Sequence, residues 1–352
     1  MKKIKLVFMP LVLIILFFVS CSTSTVPLEI LVPAEINITK EIKHIGIVNR
    51  TIPERRRKVI NFLEGFVSGE QIFADREGAD NCINGLASKL NDSPRFTSVI
   101  IRGERLRGTG TRRFARQLSW NTVRRICNKY RVDALIVLET FDSNISVDVE
   151  RRLINKKIKI KGTDKKKKVK VPRYYADLYL DVNSGWRIYD PSSKSVVDMN
   201  SFLDRKSWSS YGKTERKALY GLPTKREAIN VSGYNSGIQY GMRISPTWIN
   251  VYRDFYVKGD PGLEEAKRYV KANDWKGATQ IWRSLLKHDD PKIAGRAAYN
   301  LAFAAELKGK FKKAYSWAKM SYTKFGNRKA LTYMRKLENR MDDKARLREQ
   351  MN

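Results

Sequence analysis

The sequence predicts an α+β chain: a mixed β-sheet with flanking helices, followed by an all-α array of helical hairpins. Three observations carry this. Apolar runs with strand character alternate with stretches of helical period between residues 40 and 247. One run, Asp133 to Thr140 (DALIVLET), is nearly continuously apolar, as expected of a central strand covered on both faces. From Leu263 to Met351 the helical period is unbroken by any strand-like run. A hydrophobic fraction of 42% with seven Trp supports a real core.

The chain opens with Lys2, Lys3 and Lys5, an apolar run from Leu6 to Val19, and Ser20 before Cys21. This is the layout of a secretory signal. The run is too short for a bilayer core that needs about 20 residues. Phe18-Val19-Ser20-Cys21 resembles the bacterial lipobox, with Phe18 in place of the usual Leu. The resemblance implies a lipidated Cys21 as first residue of the mature chain, attached to the outer membrane and facing the periplasm. The alternative is an ordinary signal cut elsewhere. Ser22 to Thr25 reads as a flexible tether.

The formal charge is +33, and removing residues 1–20 with their three lysines leaves +30 on 332 residues, enough for two domains. Such a balance points to nucleic acid or an anionic surface. For a secreted, anchored chain the expected partners are anionic lipid, lipopolysaccharide or acidic glycans, and not nucleic acid; the alternative is a basic, solvated surface. Cys82 and Cys127 sit among apolar residues at helical spacing and read as buried free thiols; in an oxidising compartment the alternative is a disulfide between them.

In order, Val26 to Val32 reads as a short strand or extended lead-in, and Lys43 to Arg50 as a strand entering a turn. Pro53 to Arg57 is strongly basic. Ala79, Cys82, Ile83, Leu86, Ala87 and Leu90 share a helical face, ended by Asn91-Asp92-Ser93-Pro94, and Phe96 to Arg102 is strand-like. Gly103, Gly108 and Gly110 mark a basic loop that lacks a phosphate-loop frame. Ser119 is the expected N-cap of a helix burying Trp120, Val123, Ile126, Cys127 and Tyr130. This order of elements through VDALIVLETF resembles the α/β module of CsgG-like and TolB N-terminal envelope proteins over residues 40–245. The resemblance implies a binding or assembly module without catalytic residues.

Asn144 to Val171 holds the densest charge. Ile158 to Lys161, a Gly162-Thr163-Asp164 turn and Val169 to Val171 read as a hairpin with one lysine face, within a basic segment of about residues 145–172. Lys159, Lys161, Lys165, Lys166, Lys167, Lys168 and Lys170 are the candidates for anion or membrane contact. The alternative is a solvated hairpin whose lysines deter edge pairing. No long membrane-inserting hairpin is expected, and a pore is disfavoured. Tyr174 to Val182 alternates, and Asp181 to Gly185 hints at a calcium loop; its glycine falls early and Ser192 replaces the closing Glu, so a turn is expected. GWRIYDPSSKSVVDMNSF reads as strand, turn, strand. Ala228, Val231, Tyr234, Ile238 and Met242 fall roughly on one side of a helix that Ser245-Pro246 breaks.

In the tail, Trp275-Lys276-Gly277-Ala278 recurs as Phe311-Lys312-Lys313-Ala314. An aromatic followed by Ala three residues later resembles the second helix of a tetratricopeptide unit. Trp275, Ala278, Phe311 and Ala314 are the repeat positions, and Asn300 and Glu306 the candidates for a partner groove. Two units fall short of the three usually needed, so they are expected to dock on the α/β body or the final helix, Arg328 to Gln350. With ISPTWINVYRDFY (Ile244 to Tyr256) as the crossing between them, nearly the whole mature chain is similar to lipoproteins of Bacteroidota that combine such a module with a helical tail.

His44 and His288 stand alone, no metal-ligand or nucleophile motif is present, and no cofactor or metal is expected. The expected organisation is a signal at 1–20, a lipid-anchored tether and lead-in at 21–39, an α/β domain at 40–247 and a tetratricopeptide-like domain at 248–352. The expected function is a non-enzymatic outer-membrane lipoprotein binding a protein partner in the envelope. The alternatives are a glycan hydrolase using Asp or Glu of the meander, with carboxylates about 5 to 9.5 Å apart, and an electrostatic binder of anionic lipid or lipopolysaccharide.

Overall fold

A computed structural model describes residues 22–52 and 69–351. Cys21 and the basic stretch from Pro53 to Arg57 lie outside the described residues. The chain forms two compact units, Leu31–Ile249 with Lys344–Asn352, and Met1–Ile30 with Asn250–Asp343. It opens with β1 (Thr23–Val32).

The α/β unit then runs β2 (His44–Asn49), α1 (Gly69–Asn91), β3 (Thr97–Ile101), α2 (Trp120–Tyr130), β4 (Ala134–Lys159), β5 (Lys166–Asp190), β6 (Ser195–Gly212), α3 (Glu215–Leu219) and α4 (Lys225–Ile244). The five strands form one mixed sheet in the order β3-β2-β4-β5-β6. The first three are parallel, joined through α1 and α2, and the last two add antiparallel neighbours. The apolar run of β4 is covered on both faces. Ala134, Ile136 and Leu138 pack with α1 and α4, whereas Leu135 and Val137 pack with Val123, Ile126 and Cys127 of α2. Ser119 caps α2, its side chain accepting from the Thr122 amide. Cys82 and Cys127 are buried and free, one on each side of the sheet.

Four expectations are corrected. The helix α4 does not bury Val231, Tyr234 and Met242, which are exposed; it buries Ser232, Gly233, Ser236, Gly237 and Gly241. The reason is a close crossing with α1: a Cβ on Gly237 would strike the Cys82 carbonyl, and one on Gly85 the Tyr234 carbonyl. Asp181 to Gly185 is neither a loop nor a turn, because β5 runs straight through it. The β4–β5 hairpin is long, paired from Leu135–Tyr189 to Lys159–Lys166. The tether is in fact the start of β1, because Thr23, Ser24 and Thr25 are already extended within it.

The domain limits shift for the same kind of reason. The last residues of the chain belong to the α/β unit, where the Gln350 side chain accepts from the Ala34 amide (2.9 Å) and donates to the Ala34 carbonyl (3.1 Å). The other unit contains β1 up to Ile30, paired with β7 (Thr247–Tyr256), and the helices α5 (Pro261–Lys271), α6 (Trp275–Ser284), α7 (Pro291–Leu307), α8 (Phe311–Thr323) and the first part of α9 (Arg328–Met351). α5–α6 and α7–α8 are the two successive hairpins of the repeat. Their turns carry Asn273 (φ 60) and Gly309 (φ 64) at equivalent places, the left-handed conformation that lets each helix turn back. Ala330, Tyr333 and Leu337 of α9 close the core of this unit.

Candidate functional site

The basic segment becomes a projecting arm. β6 ends at Gly212, opposite Tyr174 of β5. Beyond that point β4 and β5 continue as a two-stranded ribbon of eight residues each, 152–159 and 166–173, or about 27 Å at strand rise. The turn is closed by the Ile160 amide donating to the Lys165 carbonyl (3.0 Å) and the Thr163 amide to the Ile160 carbonyl (3.1 Å). Gly162 takes φ 83 at its tip, in open space, with nothing within 4 Å of the place a Cβ would occupy.

Residues paired across antiparallel strands share a face. Lys157–Lys168, Lys159–Lys166 and Asn155–Lys170 therefore put five lysines on one side of the ribbon. The other side carries Ile154–Val171, with Val169 and Ile158 paired to Lys156 and Lys167. Of the expected lysines, Lys159, Lys166, Lys168 and Lys170 come together, Lys167 faces the opposite way, and Lys161 and Lys165 lie at the turn. Lys157 was missed because the hairpin is longer than its turn signal indicates. Lysines set directly opposite one another repel. Among the described residues only Asp164, 3.0 Å from Lys159, offers a counter-charge within this ribbon.

At the root of the ribbon Arg152 and Arg173 are also paired. The Arg152 guanidinium lies 5.0 Å from the Tyr175 ring centroid and that of Arg173 4.8 Å from Tyr211. Tyr211 is 63% exposed, so this arginine–tyrosine lattice faces solvent. The ribbon is thus amphipathic, with cations along its length and aromatic rings at its base.

The groove candidates are corrected. Asn300 and Glu306 are buried in the helical unit. Asn300 accepts from the Tyr256 amide (2.7 Å) and donates to the Tyr256 carbonyl (2.8 Å), which fastens β7 to α7. Glu306 takes a two-point contact from Arg253 (2.9 and 3.0 Å) and a hydrogen bond from the Tyr333 hydroxyl (2.5 Å). Ala278 and Ala314 are fully buried between helices, and Trp275 and Phe311 are half-buried at the start of α6 and α8. These are packing positions.

The basic loop after β3 is strapped to the sheet. Glu139, fully buried, accepts from Arg50 (3.1 Å), Arg187 (3.0 Å) and the Tyr189 hydroxyl (3.0 Å). The same arginines donate to the carbonyls of Arg107, Ala115 and Arg116. On the meander, Asp177 pairs across strands with Asp148, an adjacency that sequence spacing within one strand does not reveal. Among the described residues no group of three or more metal-ligating side chains is present.

Residues 42–256 match the family described as Domain of unknown function (DUF8603). The chain belongs to the DUF8603 family. The match spans the whole α/β sheet and the lysine arm, so the arm lies within the DUF8603 region. Residues 264–339, the helical hairpins, match a second family, Domain of unknown function (DUF6340). No curated protein matches the chain. Among solved structures, one described as that of a neuraminyllactose-binding hemagglutinin homolog from Helicobacter pylori is 10% identical, covering 68% of this chain and 94% of that one at a TM-score of 0.26. A likeness that slight bears on neither fold nor ligand. Among the described residues no helix is long and apolar enough to cross a membrane.

Proposed function

We propose that this DUF8603 protein is a non-enzymatic binding protein of the cell envelope, anchored through Cys21, whose lysine arm attaches to an anionic membrane surface. The observation that carries the reading is the ribbon itself: five lysines on one face and Ile154, Ile158, Val169 and Val171 on the other. Each lysine near an anionic leaflet contributes about 1 kcal/mol, and the aliphatic face is itself interrupted by Lys156 and Lys167. Tyrosines with arginines over them, as at Tyr175 and Tyr211, suit the same interface. A hydrolase would need its carboxylates within a cleft. Asp148 and Asp177 instead stand side by side on a strand pair, with Asp148 exposed.

Vesicle flotation of the unacylated chain tests this. Binding to vesicles containing phosphatidylglycerol is expected, falling steeply with salt, and at least about tenfold weaker when Lys157, Lys159, Lys166 and Lys168 are replaced by Gln. Equal binding by that variant would overturn the reading. Retention of an envelope protein without vesicle binding would move the contact to the helical hairpins.

A further inference from the structure

The helical unit holds a second cationic feature, and this one is concave. A cleft of about 340 Å³ opens between Ser22, the end of β7, the first turns of α7 and the α8–α9 turn. Lys292 and Arg296 stand one turn apart on α7, and Arg328 and Lys329 open α9. Tyr256 lies beneath them, with the Arg296 guanidinium 5.3 Å and the Lys329 ammonium 5.8 Å from its ring centroid. Arg296 is held in place by donating to the Lys258 carbonyl (2.6 Å). No carboxylate lines the cleft, and among the described residues none of these four cations is within ion-pair distance of one. α9 also begins here and its N-terminus adds partial positive charge, whereas the N-terminus of α7 is already capped by the Asp290 carboxylate.

We propose that this cleft binds a phosphate-bearing anion. Four cations converging without a counter-charge repel one another, and a carboxylate would neutralise only one of them. A phosphomonoester or a pyrophosphate offers two or more charges and several acceptor oxygens, and the arginine forks match its geometry. The volume lies at the small end of the ~300–1,000 Å³ range of ligand pockets, which suits a headgroup-sized ligand. Ser22 places the rim next to the anchor: its carbonyl accepts from the Val257 amide (3.1 Å), which fixes the residue after Cys21 at the cleft. The phosphate site stands on the cleft alone. Only a lipid source for that phosphate rests on the anchored reading above.

Calorimetric titration of the full chain with pyrophosphate is the test, together with flotation on phosphatidylcholine vesicles with and without phosphatidic acid. Saturable pyrophosphate binding is expected, weakened at least about tenfold in K292Q/R328Q/K329Q, whose three side chains are exposed and whose fold circular dichroism would check. The variant K165Q/K166Q/K167Q/K168Q should bind pyrophosphate like the parent, which separates this site from the arm. If the phosphate comes from lipid, pyrophosphate competes with phosphatidic acid vesicles; if it is free, it does not. Absence of saturable pyrophosphate binding, or equal affinity in the cleft variant, overturns the proposal.

Discussion

Asn300 and Glu306 illustrate how a polar residue inside an alanine-rich helix is used. In the sequence both read as groove residues; in the fold each answers a buried group, Asn300 the backbone of Tyr256 and Glu306 the Arg253 guanidinium. Helical period places a residue on a face, but the partner that makes the face buried comes from β7, about 50 residues away. Ser119 was legible for the opposite reason, since an N-cap acts on its own helix within three residues. Asp75 was not legible. Burial pushes its carboxyl up from 3.8 to about 6, against the hydrogen bond from Ser143 and with the Asp142 charge adding to the rise. A raised carboxyl contributes stability that is fully present below about pH 4 and lost as pH rises through 6. D75N should therefore raise the unfolding free energy measured by urea at pH 8, by at most about 3 kcal/mol, and give no gain at or below pH 4. A gain of equal size at both pH values would contradict this.

At the scale of elements, α4 gave the less obvious answer. Its apolar residues occur at helical spacing, yet the middle of its buried face is Ser and Gly, between Ala228 and Ile229 at one end and Tyr240 and Ile244 at the other, because α1 approaches too closely there for larger side chains. Of the apolar residues expected on one side, Ala228 is buried and Ile238 half-buried, whereas Val231, Tyr234 and Met242 are exposed. G237A is expected to destabilise by about 1–3 kcal/mol, since the Cβ would meet the Cys82 carbonyl, backbone that cannot rotate away. G241A should also destabilise, because its Cβ would come within 2.7 Å of the Lys89 Cβ, which is fixed to the α1 backbone. Urea unfolding checks both variants, and parental stability in G237A would contradict the close crossing. The arm was half legible. Its turn and its lysines were, but its length was not, because a ribbon exposed on both sides has no core to impose alternation.

At the scale of the molecule, the alternation of strands and helices and the 36-residue echo between Trp275 and Phe311 were enough to identify a mixed sheet followed by helical hairpins. The limits of the units were not legible, since they depend on which strand pairs with which. On the proposed reading, with a mature charge of +30 and a basic arm, attachment has two parts: acyl chains at Cys21 and salt-sensitive electrostatics. In fractionated cells the parent chain should stay with membranes in high salt, whereas C21S should leave them. A C21S chain retained at high salt would mean that Cys21 is not the anchor.

The pairing of β1 with β7 has a kinetic side. About 200 residues separate the two strands, so their contact closes one of the longest loops this chain can make, and closure entropy delays it. Synthesis from the N-terminus presents β1 first and its partner only after the sheet, the arm and α4. Until then β1 is an unpaired edge. The first strand thus waits for a partner that follows the whole sheet, and α5–α9 follow that partner in turn.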